Sequence, residues 1–161
     1  MKKYQHLKDY EKVADIHARR LSAAVNKTQF LFPFTPESLS LLQDEQVALL
    51  DMMTTRFGKL QDIIGVKIFP IILDILGENA PSFRDKLNSL EKLGVIDDAQ
   101  WWMEMREIRN QITHDYPENY NVLSADFNKM LPFVQGLIVF WEKLKIYIGT
   151  LPQCVGLSNE Q

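Results

Sequence analysis

A single cysteine, Cys154, stands among the 161 residues. That excludes an internal disulfide framework and any cysteine-rich zinc site. With no basic neighbour to lower its pKa, the thiol reads as buried or idle. Long apolar runs are missing too. The most hydrophobic stretches, FLFPF (30–34) and VQGLIVFW (134–141), fall far short of the ~20 residues that cross a bilayer, so no membrane partner is expected. The opening MKKYQHLKDYEKVADIH is charged and lacks the apolar core of a secretory signal, so the expected compartment is the cytoplasm. Basic clusters are absent, and the net charge is −3. This argues against a non-specific nucleic-acid binder, while a small local basic site stays possible on an acidic protein. There is no glycine-rich phosphate loop, serine nucleophile elbow, catalytic carboxylate pair or H-E-x-x-H spacing. Histidine is scarce, with three in the chain. His6 and His17 lie near Asp9 and Asp15 on one predicted helix and read as solvated side chains, so neither a metal nor a cofactor is expected.

What is present is helical. Hydrophobic residues make up 46% of the chain, enough for a substantial core in one domain over 1–161. Residues 4–29 place Leu7, Tyr10, Val13 (or Ala14), Ile16 (or His17), Leu21, Ala24 and Val25 at helical spacing. The segment 1–35 reads as an N-terminal helical extension, and Arg19-Arg20 as part of its solvated face. Phe30, Leu31, Phe32 and Phe34 read as a staple onto the core, or else as partner surface. Thr35 and Pro36 form an N-cap with proline at N1. From there to Leu76 the pattern predicts one long helix or a bent pair, weakened at Gly58 and Gly65 and kinked by Pro70 near 66–69. Gly77 ends it. A short helix follows with Phe83, Leu87, Leu90 and Leu93 apolar, closed by Gly94. Another runs from a cap at Asp97 or Asp98 to Pro117. The last is expected from about Ala125 to Ile148, interrupted at Pro132, and 150–161 reads as a loosely ordered tail. No stretch alternates as a half-buried strand does. The expectation is an all-α bundle of about five helices.

The penultimate helix carries the chemistry. Trp101, Met105, Ile108 and Ile112 recur at core spacing. Trp102, Arg106 and Arg109 fall on a second line, with Tyr116 nearly on the same face, while Asn110 and His114 share an adjacent line. Arg109 and His114 are roughly 140° apart around the axis and about 7.5 Å along it, so one helix cannot aim both at one atom. Two copies packed about a two-fold axis would bring two arginines and two histidines to one seam. Metal-free RNA cleavage needs a base for the 2′-hydroxyl, an acid for the leaving 5′-oxygen, and cations for the phosphoryl charge. Histidines and arginines supply these. Asn110 would orient either group, Tyr116 would touch phosphate or base, and Trp102 and Arg106 would line the groove. By spacing alone, a surface cation and a helix-dipole partner are the other reading of Arg109 and His114.

The string RNQITHDY resembles the Arg-x4-His-x-Tyr motif of HepT-like HEPN ribonucleases, and FRDKLNSLEKLGVIDDAQWWMEMREI resembles the helices that lead into it. The likeness is strongest over roughly 80–150. It implies a HEPN-like helical fold, a homodimer, and a metal-independent endoribonuclease acting on RNA as the toxin of a toxin–antitoxin pair. It also implies that Arg109 and His114 are catalytic, that Asn110 is the polar residue after the arginine, and that Tyr116 receives AMP from a cognate MntA-like nucleotidyltransferase antitoxin. The alternative within the same likeness is a non-catalytic helical partner that shapes the substrate site of a minimal nucleotidyltransferase.

Overall fold

The computed structural model describes residues 2–114 and 119–152, with the backbone alone at His114. Helix α1 spans Lys2–Thr28, α2 Pro36–Ser40, α3 Asp44–Asp62, α4 Phe69–Ile75, α5 Phe83–Lys92, α6 Ala99–His114 and α7 Tyr120–Gly149. A π-helical turn, Ile63–Ile68, joins α3 to α4, so those two form one continuous rod and the bundle has about six helices. No strand occurs among the described residues, and no helix there is long and apolar enough to cross a membrane.

The π turn is the answer to Pro70. Proline has no N–H, and its ring collides with the carbonyl four residues back in a regular helix. Here Phe69 N–H bonds Ile64 O, five residues back. The helix widens just where the next donor is missing. The rod begins later than the sequence suggests, because α2 is a separate short helix and α3 restarts at Asp44 behind a capping box of Gln43 and Gln46. Thr35 does cap α2, with Pro36 in its first turn. Gly77 and Gly94 both sit at φ +74, closing α4 and α5 as left-handed C-caps. Of the two candidate caps for α6, Asp98 takes the role, its Oδ1 accepting from Gln100 N at 2.9 Å. Helix α7 starts at Tyr120 behind the Asn119 cap and runs through Pro132 without the expected interruption. Pro132 lies on the exposed face. The ring meets solvent there, and the one carbonyl left without a helical donor can turn to water.

The N-terminal segment is built into the single core. Leu7, Ala14, Leu21, Ala24 and Val25 are buried, and α1 packs against α3, the π turn and α7. Its inward stripe runs through Ala14 and Ala18, while Val13 and Ile16 face out at 40% and 43% exposure. Phe34 is buried and pinned at both backbone groups by Asn128, which accepts from its N–H at 2.7 Å and donates to its carbonyl at 2.9 Å. Phe32 and Leu31 lean on the core, whereas Phe30 is 73% exposed.

Candidate functional site

Met105, Ile108 and Ile112 bury one face of α6. Its phase differs from expectation at the tryptophans. Trp102 is 1% exposed, packed at a tilt on Phe69 and edge-on to Phe140 with ring centroids 4.8 and 5.7 Å away, so it lines no groove. Trp101 is the half-exposed member of the pair. The neighbouring rod runs close to both residues. At Gly65 a Cβ would lie 3.4 Å from the Trp102 ring, an ordinary contact. At Gly58 it would meet Arg109 Nε at 2.9 Å, too close to leave the guanidinium where it is. The seven-residue step from 102 to 109 matches that from 58 to 65, as two antiparallel helices require. Gly58, which looks like a helix defect in the sequence, is the seat of an α6 side chain.

Arg109 is held from a second side. Its Nη1 and Nη2 donate to Asp62 Oδ1 and Oδ2, both at 2.9 Å. The arginine side chain is 29% exposed, against 53% for Asp62. End-on pairing of this kind uses one hydrogen of each Nη and leaves one on each for a further acceptor. Behind it, Gln61 is buried and its amide donates to the Met105 carbonyl at 3.4 Å. If Gly58 seats Arg109, Gly58→Ala should shift the Arg109 Nε–Hε signal in an NMR spectrum without lowering the melting temperature. Alanine adds helix propensity worth up to about 1 kcal/mol as it displaces the guanidinium. An unmoved signal would contradict the contact.

Arg106 points elsewhere, with its guanidinium carbon 4.4 Å above the Phe83 ring. It borders an open depression of about 540 Å³ whose other walls are Arg84, Gln100, Met103, Glu107, Asn110 and Gln111. The structure therefore brings Arg106 and Asn110 together, and Arg109 with Asp62, on two sides of one helix. His114 closes α6 on the line that runs through Arg106 and Asn110, four residues beyond Asn110. Its side chain, Tyr116, Pro117 and Cys154 lie outside the described residues.

The other histidines are elsewhere in the bundle. His6 packs near the Tyr10 ring on α1. His17 Nδ1 lies 2.9 Å from Arg56 Nη1, an arrangement that fits a neutral imidazole accepting from the guanidinium. Burial, then the charges of Arg56 and Lys59, push its pKa below the usual histidine value. No group of three His, Cys, Asp or Glu among the described residues could hold a metal ion. Sequence reasoning missed Asp62, Gly58, Phe83 and Arg84. The available signal was Gly58 and Asp62 at i and i+4, which puts a bare backbone and a carboxylate on one helical line. No family model, curated protein or solved structure matches the chain.

Proposed function

We propose that this chain is a metal-independent endoribonuclease of the HepT-like HEPN type, working as a homodimer in which two α6 helices share one groove. The observation that carries the proposal is the seating of Arg109. A stray surface cation would need neither a glycine cut-out nor a bidentate partner, and this one has both. Fixing a guanidinium before substrate arrives is what stabilising a developing phosphoryl charge requires. The free hydrogens on Nη1 and Nη2 then face the phosphate of an RNA strand.

In this reading one His114 removes the 2′-hydroxyl proton, and the 2′-oxygen attacks the adjacent phosphorus. The P–O5′ bond breaks, and the second histidine of the dimer protonates the departing 5′-oxygen. The products are a 2′,3′-cyclic phosphate and a free 5′-hydroxyl, and no metal is consumed or required. Asn110 orients the histidine line. The cognate MntA-like nucleotidyltransferase silences the toxin by adding AMP to Tyr116, which brings bulk and negative charge beside the arginine face.

The Asp62 pair favours one other reading. A carboxylate already on Arg109 weakens its hold on RNA, as suits a non-catalytic partner of a nucleotidyltransferase. Mixed dimers separate the two. His114→Ala should be inactive, and a dimer of one parent and one His114→Ala protomer, which keeps a single histidine, should be nearly as inactive, because base and acid come from different protomers. A mixed dimer that keeps half or more of the parent rate would remove the two-histidine composite site, and an inactive parent protein would favour the accessory role.

A further inference from the structure

The depression between α5 and α6 has a composition that the catalytic motif does not account for. Arg84 and Arg106 stand on its two sides, and among the described residues neither is paired with a carboxylate within salt-bridge distance. Arg109, one turn away, is neutralised by Asp62. The amides of Asn110 and Gln111 also make no hydrogen bond with any described residue. Among the described residues, two guanidinium groups without a carboxylate partner and two amides without a hydrogen bond thus line one hollow of about 540 Å³, which has room for a nucleotide.

The posture of Arg106 narrows the ligand further. Its guanidinium carbon lies over the Phe83 ring, 4.4 Å from the centroid, while the residue as a whole is exposed. A planar cation backed by a phenyl ring offers its outer face as a stacking surface. Nucleobases use such guanidinium planes in single-stranded RNA recognition. Arg84, across the hollow, is placed for the phosphate. Asn110 and Gln111 carry both donors and acceptors suited to a base edge, and Glu107 adds an acceptor for an exocyclic amino group.

We infer that this hollow is a nucleotide subsite for single-stranded RNA, with the base stacked on Arg106, its edge on Asn110 and Gln111, and the phosphate on Arg84. The subsite would hold a nucleotide flanking the cut, because the helical line through Arg106 and Asn110 continues to position 114. The RNA identity of the ligand rests on the ribonuclease reading, but the stacking site itself does not require cleavage.

The test uses a fluorescein-labelled single-stranded RNA of about eight nucleotides, within the usual span of such grooves, made uncleavable by 2′-O-methyl riboses. Its binding to the full chain is followed by anisotropy at fixed salt. Arg106→Ala should weaken binding about tenfold or more, the size of one lost base stack. Arg106→Lys should lose nearly as much, since lysine keeps the charge and drops the plane. Arg84→Ala should cost several-fold. Circular dichroism melts on each variant establish that the fold is intact, and both arginines are exposed.

Wild-type affinity in the Arg84→Ala/Arg106→Ala double variant would overturn the subsite, as would failure of the wild type to bind the oligomer. ATP displacing the oligomer when matched to it in bases would replace the RNA ligand with a free nucleotide. Arg106-dependent binding by a protein that cuts no RNA would keep the subsite and remove the nuclease. Cleavage with an unchanged KM in the double variant would do the reverse.

Discussion

His114→Ala is expected to lower RNA cleavage by about 10²–10⁴-fold, the usual contribution of a positioned acid or base, with the dimer and the melting temperature unchanged. The stability half of this expectation follows from where α6 gets its hold. Trp102, Met105, Ile108 and Ile112 anchor the helix in the core, and position 114 is its last residue. The activity half follows from the proposed mechanism, in which the imidazole serves as base in one protomer and acid in the other. The variant should therefore lose rate at every pH between about 5 and 9 and show no bell-shaped profile. Arg109→Ala should lose rate too, yet keep whatever pH profile remains, because arginine stays charged across that range. Equal rates for the parent and His114→Ala would remove the histidine from the chemistry.

The second large effect is on stability. Trp102→Ala should destabilise the chain by about 3–5 kcal/mol in urea unfolding, as large-to-small changes at buried aromatics do. Trp102 is among the largest fully buried side chains, wedged between Phe69, Phe140 and the bare backbone of Gly65. Phenylalanine there should recover part of the loss, since a six-membered ring keeps some of the contact with Phe69. Trp101→Ala should cost less, because that ring is half exposed. A loss below about 1 kcal/mol for Trp102→Ala would fit a groove-lining tryptophan and contradict the packing described here.

Helix existence was legible throughout, because caps and periodicity are local. Thr35, Asp98, Gly77 and Gly94 act where their chemistry says they should. Two kinds of feature were not legible. The first is phase. Trp101 and Trp102 are neighbours around one helix, and an apolar stripe wide enough for either cannot say which turns inward. The inward place goes to Trp102, which packs on Phe69 and Phe140 from two other helices. The second is partnership. Asp62 lies 47 residues from Arg109 in the chain, and no spacing rule reaches that far. For the same reason Gly58 reads as a weak point in a helix, when its use lies in what it lets approach. Pro70 was expected to disturb the rod near 66–69, and the irregularity there takes the form of a π turn over Ile63–Ile68, which the sequence does not specify. Arg109 and Asn110 lie on α6, the helix expected to hold them, and the depression beside Asn110 emerged only once α5 was placed against it.

The central claim is that this chain cuts RNA without a metal. The measurement that meets it most directly is cleavage of single-stranded and structured RNA by the purified protein in excess EDTA, with mass spectrometry showing Tyr116 free of AMP. Cleavage that persists in EDTA and leaves 2′,3′-cyclic phosphate ends is the predicted result. An intact RNA pool after incubation with the unmodified protein would contradict it.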